Sequence, residues 1–288
     1  MGSFMPIDLG SKSPAEGLFS SHAAIDELVR LESLLNRLAP PSWPENIFGK
    51  IDREKAKAGK ALFMEYCSGC HNAWPYRWTE PNRYGKRFIL VGLVPQTYVG
   101  TDRAQARTVR PFAITGELSK NLPSEFRGKD VLPTGIYNAM IRSEIIETAL
   151  KKRNLTEAEL INLHGYRELP SPPAPDDVYK AAPRDGVWAT PPFMHNGSVP
   201  NLYALLSPVN ERPAKFYLGN REYDPVNVGY RYDRLENGFE LDTRLRGNTN
   251  TGHEFNGDGS KQNQKDGVIG RLLTPQERRA LVEFLKTM

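Results

Sequence analysis

Cysteine is nearly absent, with two residues in a chain of 288. So few thiols exclude the disulfide framework of small secreted modules. They also exclude a four-cysteine zinc site. Long apolar runs are missing, and nothing approaches the roughly 20 residues needed to span a bilayer. Neither sign of charge dominates: 38 Lys+Arg stand against 34 Asp+Glu, a formal net charge of +4. That balance is too mild and too dispersed for a nucleic-acid partner. It allows a weakly basic face for a redox partner, although plain solubility accounts for it as well. The opening stretch "MGSFMPIDLGSKSP" lacks the basic start and apolar run of a secretory signal.

Turn residues are plentiful, with Gly 24 and Pro 23. They point to many turns and long irregular connections between helices. The length allows one large domain or two small ones, either able to bury a sizeable core. "HAAIDELVRLESLLNRL" (22–38) carries apolar residues at helical spacing, and Pro40 and Pro41 stop it. "PPSWPENIFG" then reads as an extended linker. Helices are expected over about 53–66, 136–152, 156–163 and from Thr274 to the end, with a short helix start at 198–206. Thr156 with Glu159, and Thr274 with Glu277, form capping-box patterns. "ELPSPPAPDD" (168–177) reads as a Pro-rich crossing, and 215–232 as a small β-ribbon. The partition expected is an N-terminal helix and Pro-rich linker over 1–50, followed by one domain over 51–288. The fold class expected is mostly α.

Both cysteines fall in "CSGCH", as Cys67 and Cys70 followed at once by His71. CxxCH is the attachment signature of a c-type haem. Each thiol adds across one vinyl group of the porphyrin, and the adjoining histidine falls beneath the iron as proximal ligand. A thioredoxin-type pair would need a strand before the motif, whereas here a helix precedes it. A disulfide across two residues would be strained and would leave His71 unexplained. Gly59 and Phe63 lie four apart on one face of the preceding helix. This small-then-aromatic spacing resembles the cytochrome c fold, in which the glycine lets the last helix cross closely. Leu281, Phe284 and Leu285 are the partners the last helix offers. The whole is expected to be an elaborated cytochrome c-like domain with long irregular insertions and one covalent haem c.

Of the other histidines and methionines, His22 reads as solvated and His164 as a helix C-terminal cation. Met64 and Met140 read as core. "WATPPFMHNGSVPNLYALL" (188–206) differs: it packs Trp188, Phe193, Met194 and His195 into an irregular stretch of the kind that lines pockets. These four, with Trp74, are the candidate haem-pocket residues, and core packing is an equal reading for the two tryptophans. Met194 and His195 are candidate sixth ligands.

"GVWATPPFMHNGSVPNLYALLSP" resembles the T-x-P-aromatic-x-H-x-G segment of bacterial di-haem cytochrome c peroxidases and the methylamine-utilisation di-haem enzymes. It is more similar still to the di-haem rubber oxygenase branch. "ERPAKFYLGNREYDPVNVGY", "GNTNTGHEF" and "TPQERRALVEFLKTM" are similar to segments of the same branch. The resemblance runs from about Trp43 to the end and implies the C-terminal haem domain of such proteins. In that branch this haem has two histidine ligands, the second from a late Gly-His loop that matches His253. The peroxidases proper use a Met instead, but Leu206 to Arg212 contains none. Related peroxidases bind calcium, and the loop 247–260 offers Asn and Asp oxygens, but its spacing matches no EF-hand.

The resemblance implies single-electron transfer, as the relay half of a di-haem peroxidase- or oxygenase-like protein. The alternative is an enzyme acting at this haem. The expected partner is a redox protein or a second haem domain, with no nucleic acid and no membrane span. Haem c is attached outside the cytoplasm, so a periplasmic or secreted location is expected. With no signal at the start, the sequence reads as a mature, trimmed or fragmentary one.

Overall fold

The computed structural model describes residues 7–22, 24–107, 112–168, 177–258 and 266–288. The Pro-rich crossing at 169–176 and the end of the 247–260 loop lie outside them. Nine α-helices are present among the described residues: α1 Ile25–Leu35, α2 Glu45–Phe48, α3 Arg53–Tyr66, α4 Gln96–Val99, α5 Ala104–Arg107, α6 Thr134–Lys151, α7 Glu157–Leu163, α8 Leu202–Leu205 and α9 Pro275–Leu285. The strands are β1 Gly92–Pro95, β2 Phe112–Ile114, β3 Val131–Pro133, β4 Val178–Ala181, β5 Lys215–Leu218, β6 Tyr223–Asp224, β7 Gly229–Tyr230, β8 Phe239–Asp242, β9 Glu254–Gly257 and β10 Val268–Arg271. No helix among the described residues is long and apolar enough to cross a membrane.

The mostly-α expectation is corrected. The structure is 35% helix and 16% strand, and among the described residues the strands pair as five two-stranded sheets: β1–β4, β2–β3, β5–β8, β6–β7 and β9–β10. Only β9–β10 is parallel. The cause lies in the connections. Backbone N–H and C=O groups need partners wherever the chain is not helical. Turn-rich segments meet that need with ladders of two to four residues, too short to leave a period-2 pattern in the sequence. The single ribbon expected over 215–232 becomes two. β6 and β7 pair inside that segment, whereas β5 takes its partner β8 from beyond it.

Contacts divide the chain into two units. One comprises Met1–Ala39, Asn82–Lys86 and Arg107–Ser171. It holds α1, α6, α7 and the β2–β3 ribbon, with Leu18, Phe19, Leu122 and Leu132 buried. Arg153 pairs with Asp26, and Arg167 with Glu32 at 3.0 Å. The capping box of Thr156 and Glu159 starts α7 as its sequence predicts.

The other unit comprises Pro40–Pro81, Arg87–Ala106 and Pro172–Met288. Its core is the crossing of α3 and α9. Asp52 caps α3 by accepting from the Lys55 amide at 3.0 Å. The Asp52 amide in turn donates to Glu283 of α9 at 2.9 Å. The α9 start carries the predicted capping box, with Pro275 in the first turn. At Gly59 the helices touch backbone to backbone: a Cβ there would lie 2.0 Å from the Ala280 carbonyl oxygen. One turn later Phe63 packs on Phe284, with ring centroids 5.2 Å apart. Phe63, Leu281 and Leu285 are buried. The cytochrome-like crossing read from Gly59 and Phe63 is present.

Gly59→Ala decides how tight that crossing is. Alanine gains up to about 1 kcal/mol of helix propensity over glycine. A methyl pressed on backbone atoms cannot be relieved by a side-chain rotation, and overpacking costs about 1–3 kcal/mol. The variant is expected to lose roughly 1–2 kcal/mol net in urea unfolding. An unchanged or raised midpoint would mean that α9 does not bear on α3 there.

Candidate functional site

The motif begins where α3 ends. Cys67 caps the helix, its amide donating to Phe63 at 2.8 Å. The amides of Cys70 and His71 both donate to the Cys67 carbonyl, at 3.2 and 2.8 Å. This tight turn places two sulfurs and an imidazole at the end of one rigid helix. Both thiols are free. Burial, then the neighbouring Cys70, pushes the Cys67 thiol up to about 12, and burial also raises Cys70. Catalytic and metal-binding cysteines have depressed values instead.

His71 is oriented by the segment after β4. Its Nδ1 stands 3.0 Å from the Ala182 carbonyl oxygen. The Arg184 Nε lies 3.0 Å from the same nitrogen. The two contacts exclude each other, because a protonated Nδ1 donates to Ala182 and a bare one accepts from Arg184. A ligand at Nε2 requires the first state. Burial, then Arg184, pushes His71 down to about 4 against the pull of the Ala182 carbonyl, so the ring is neutral at pH 7. Pairing of β4 with β1 sets this segment in place, with Ala181 opposite Gly92. Gly92 in turn lies on the motif: a Cβ there would stand 2.9 Å from the Cys70 carbonyl oxygen. Asn72 is buried and donates to the carbonyls of Arg77 at 2.8 Å and Leu90 at 3.0 Å. It thereby ties the chain leading into β1 to the residue after His71.

His253 brings the second imidazole. Its ring centroid lies 6.4 Å from that of His71, with the planes 47° apart. It adopts φ +50, the left-handed region, and its amide donates to Val99 at 2.7 Å. Gly252 has φ +75, and a Cβ there would fall 2.2 Å from the Gly100 carbonyl carbon. Gly100 in turn admits no Cβ against Gly267, 2.4 Å away. Three bare backbone segments therefore meet behind the histidine. Phe255 packs edge-on to it at 5.9 Å. The His253 Nδ1 is buried with no hydrogen-bond partner. Burial, then His71, Arg212 and Arg184, pushes His253 down to about 3.

A buried carboxylate holds the His253 loop. Asp102 accepts from the amides of Ala104, Gly247 and Thr249 at 2.7, 3.0 and 3.3 Å, and from the Thr249 hydroxyl at 2.7 Å. Burial alone would raise its pKa. The Thr249 hydroxyl and the three amides outweigh burial and hold it below the usual carboxylate value. Asn196 donates to the carbonyls of Gly247 and Thr249 at 3.1 and 3.0 Å. Among the described residues no three His, Cys, Asp or Glu side chains converge as a metal-ion site.

These residues fit a haem. Two neutral imidazoles cannot hold a metal ion by themselves, since protein sites take three or four ligands. A porphyrin supplies the remaining donors. Metal–imidazole nitrogen bonds of about 2.0–2.1 Å place the centroids of two opposed rings roughly 6.3 Å apart, close to the 6.4 Å seen. A buried imidazole nitrogen without a partner calls for an explanation, and a metal bond to that nitrogen would supply one. Arg184 is also suited: burial lowers its pKa, and no carboxylate among the described residues pairs with it. It can neutralise an acidic side chain of the porphyrin.

His195 stacks on Tyr179 at 4.3 Å, its Nε2 3.3 Å from the Tyr179 hydroxyl. The Met194 sulfur accepts from the Ser198 hydroxyl at 3.5 Å. Phe193 is buried and bridges Val199. Trp188 is buried in an aromatic cluster with Trp43, Phe48 and Tyr223, its Nε1 donating to Pro41 at 2.9 Å. Trp74 is 76% exposed and meets Tyr76 edge-on at 5.7 Å. Sequence reasoning missed Asn72, Asp102, Arg184 and Arg212, which carry no spacing signal.

Asp102→Asn tests the brace on the His253 loop. A carboxyl held below its unfolded value of about 3.9 stabilises above that pH, and the gain is lost as pH falls through the native value. The variant should lose about 1.5–3 kcal/mol at pH 7, and less below pH ~4. Thermal midpoints of parent and variant followed from pH 7 to 3 would show the gap closing. A constant gap would discount the charge.

A family model described as "RoxA-like, cytochrome c-like" matches residues 178–217. Uncharacterized protein y4iJ of Sinorhizobium fredii (strain NBRC 101917 / NGR234) is 38% identical over 297 residues, covering 94% of this chain and 47% of the relative. Uncharacterized protein y4iM of the same organism is 28% identical over 272 residues, covering 88% of this chain and 52% of the relative. The chain thus spans about half the length of the curated relatives it matches. The matched segment includes Ala182 and Arg184 beside His71 and all of 188–206. It is a RoxA-like, cytochrome c-like segment, and a domain of that kind implies haem c.

Proposed function

We propose that this chain is a c-type cytochrome domain carrying one covalent haem with histidine on both faces, and that it transfers single electrons. The observation that carries the reading is the opposition of His71 and His253 at 6.4 Å with a buried, unpartnered Nδ1 on the second ring. Cys67 and Cys70 would hold the vinyl edge by thioether bonds. His71 and His253 would ligate its iron, and Arg184 would neutralise an acidic side chain of the porphyrin. The haem, when bound, supplies a one-electron couple, and bis-His ligation gives it a lower potential than His/Met ligation would.

The chain's own residues do the rest. The α3 helix end fixes Cys67, Cys70 and His71 in one tight turn, so the proximal ring arrives preoriented. Ala182 holds the Nδ1 proton of His71 and strengthens the ring as a donor. The glycine crossing seats His253, leaving no open position for peroxide or dioxygen. That closure favours relay over catalysis at this site. The similarity to longer proteins supports a role as the electron-relay half of a di-haem peroxidase- or oxygenase-like protein. Its partner would be a redox protein or a second haem domain. Haem attachment would take place in the periplasm or on a secreted route.

Protein matured in a host with c-type haem assembly should gain one haem in mass and show low-spin bands in a reduced-minus-oxidised spectrum. The ferrous form should bind CO slowly or not at all. His253→Ala should bind CO within mixing time, whereas Met194→Leu should leave the spectrum unchanged. A sulfur-to-iron band that disappears in Met194→Leu would overturn the bis-His assignment. Rapid CO binding by the parent would point to an enzyme acting at this haem.

A further inference from the structure

Arg212 is a buried guanidinium, 5% exposed, that pairs with no carboxylate among the described residues. Its partners are main-chain carbonyls. Nε donates to Ser207 at 3.1 Å, Nη1 to Asn250 at 2.5 Å and Gly252 at 2.9 Å, and Nη2 to Leu205 at 3.2 Å and His253 at 3.1 Å. Three of these five acceptors belong to the loop that carries His253. Glu254 acts on Arg212 at longer range, but it accepts from the Val209 amide at 2.9 Å and the Asn256 side chain at 3.0 Å. The positive charge therefore sits in the interior, bonded to main-chain carbonyls and offset at longer range by Glu254.

Two physical consequences follow. His253 holds a left-handed backbone, a conformation that costs about 1–3 kcal/mol and persists where the surroundings over-determine it. Arg212 supplies much of that constraint, because one planar fork binds the carbonyls of 250, 252 and 253 at once. Lysine has three donors on a point charge and cannot copy the fork. The charge also acts directly on the site. In a poorly hydrated interior a nearby cation favours the state of lower positive charge, which for an iron couple is the reduced one. The electrostatic influence of Arg212 already reaches the His253 ring.

We propose that Arg212 is a positioning residue with two separable roles: its fork clamps His253 as the sixth ligand, and its buried charge raises the reduction potential. This rests on the haem reading above. The test uses holoprotein in which covalent haem has first been confirmed by pyridine haemochrome. Missing haem would therefore count against that reading and not against Arg212. Arg212→Met removes charge and fork at similar length, and Arg212→Lys keeps the charge alone. In Arg212→Met the reduced-to-oxidised ratio at fixed solution potential should fall about tenfold, which is about 59 mV for one electron, and the ferrous form should bind CO. In Arg212→Lys the ratio should stay near that of the parent while CO binding appears. A parent-like ratio in Arg212→Met, or exclusion of CO by Arg212→Lys, would overturn the corresponding role. If Arg212→Met yields no folded holoprotein, Arg212→Lys decides the clamp by its CO binding, and Arg212→Gln, which also removes the charge, decides the charge by its ratio.

Discussion

Two imidazoles held 6.4 Å apart are the constraint on which the unit that carries them depends. Neither ring could be placed by its own neighbours. His71 follows a helix end and needs the carbonyl of Ala182 to choose its tautomer. His253 sits in a left-handed turn that would relax without Val99, the glycine crossing and Arg212. The space between the rings is therefore defined from two directions by unrelated stretches of chain. Each uses main-chain contacts, which are harder to shift than side chains.

The supports form a connected series. The α3–α9 crossing makes a rigid base, because Gly59 lets backbone meet backbone and Phe63 fills the next turn against Phe284. The motif grows from the end of that base. Asn72 then ties the following strand to it, and the β1–β4 ladder carries Ala182 and Arg184 back to His71. On the far side Asp102 gathers 247 and 249 while Arg212 gathers 250, 252 and 253. A buried anion and a buried cation thus organise one loop from its two ends. Neither needs the other as a partner, since amides satisfy the first and carbonyls the second.

The chemistry follows from this rigidity. An electron-transfer centre works best when its ligands keep their positions in both oxidation states. On the proposed reading, neutral imidazoles, buried and preoriented, would meet that need, and their burial would keep protons from competing for the ligating nitrogens. On the proposed haem reading, the guanidiniums of Arg184 and Arg212 would counter the low potential that two histidine ligands impose. Of the predicted pocket residues, His195 stacks on Tyr179, and Trp188 belongs to an aromatic cluster.

Local chemistry was legible from the residues alone. CSGCH needs no tertiary context to specify three adjacent functional groups, and capping boxes and the Gly59–Phe63 spacing are written within single helices. The late Gly-His was visible only through its resemblance to other proteins, because one histidine in a polar loop has no periodic signature. The five short ribbons escaped reading since ladders of two to four residues arise from pairing partners far apart in sequence. Asp102 and Arg212 escaped for the same reason: their meaning comes from burial and from carbonyls and amides up to 147 residues away. By itself, then, the sequence determined which groups could bind and where the helices begin. Tertiary structure alone decided which histidine faces His71 and how the charges around that pair are held, because distance, burial and dielectric environment exist only once remote segments meet.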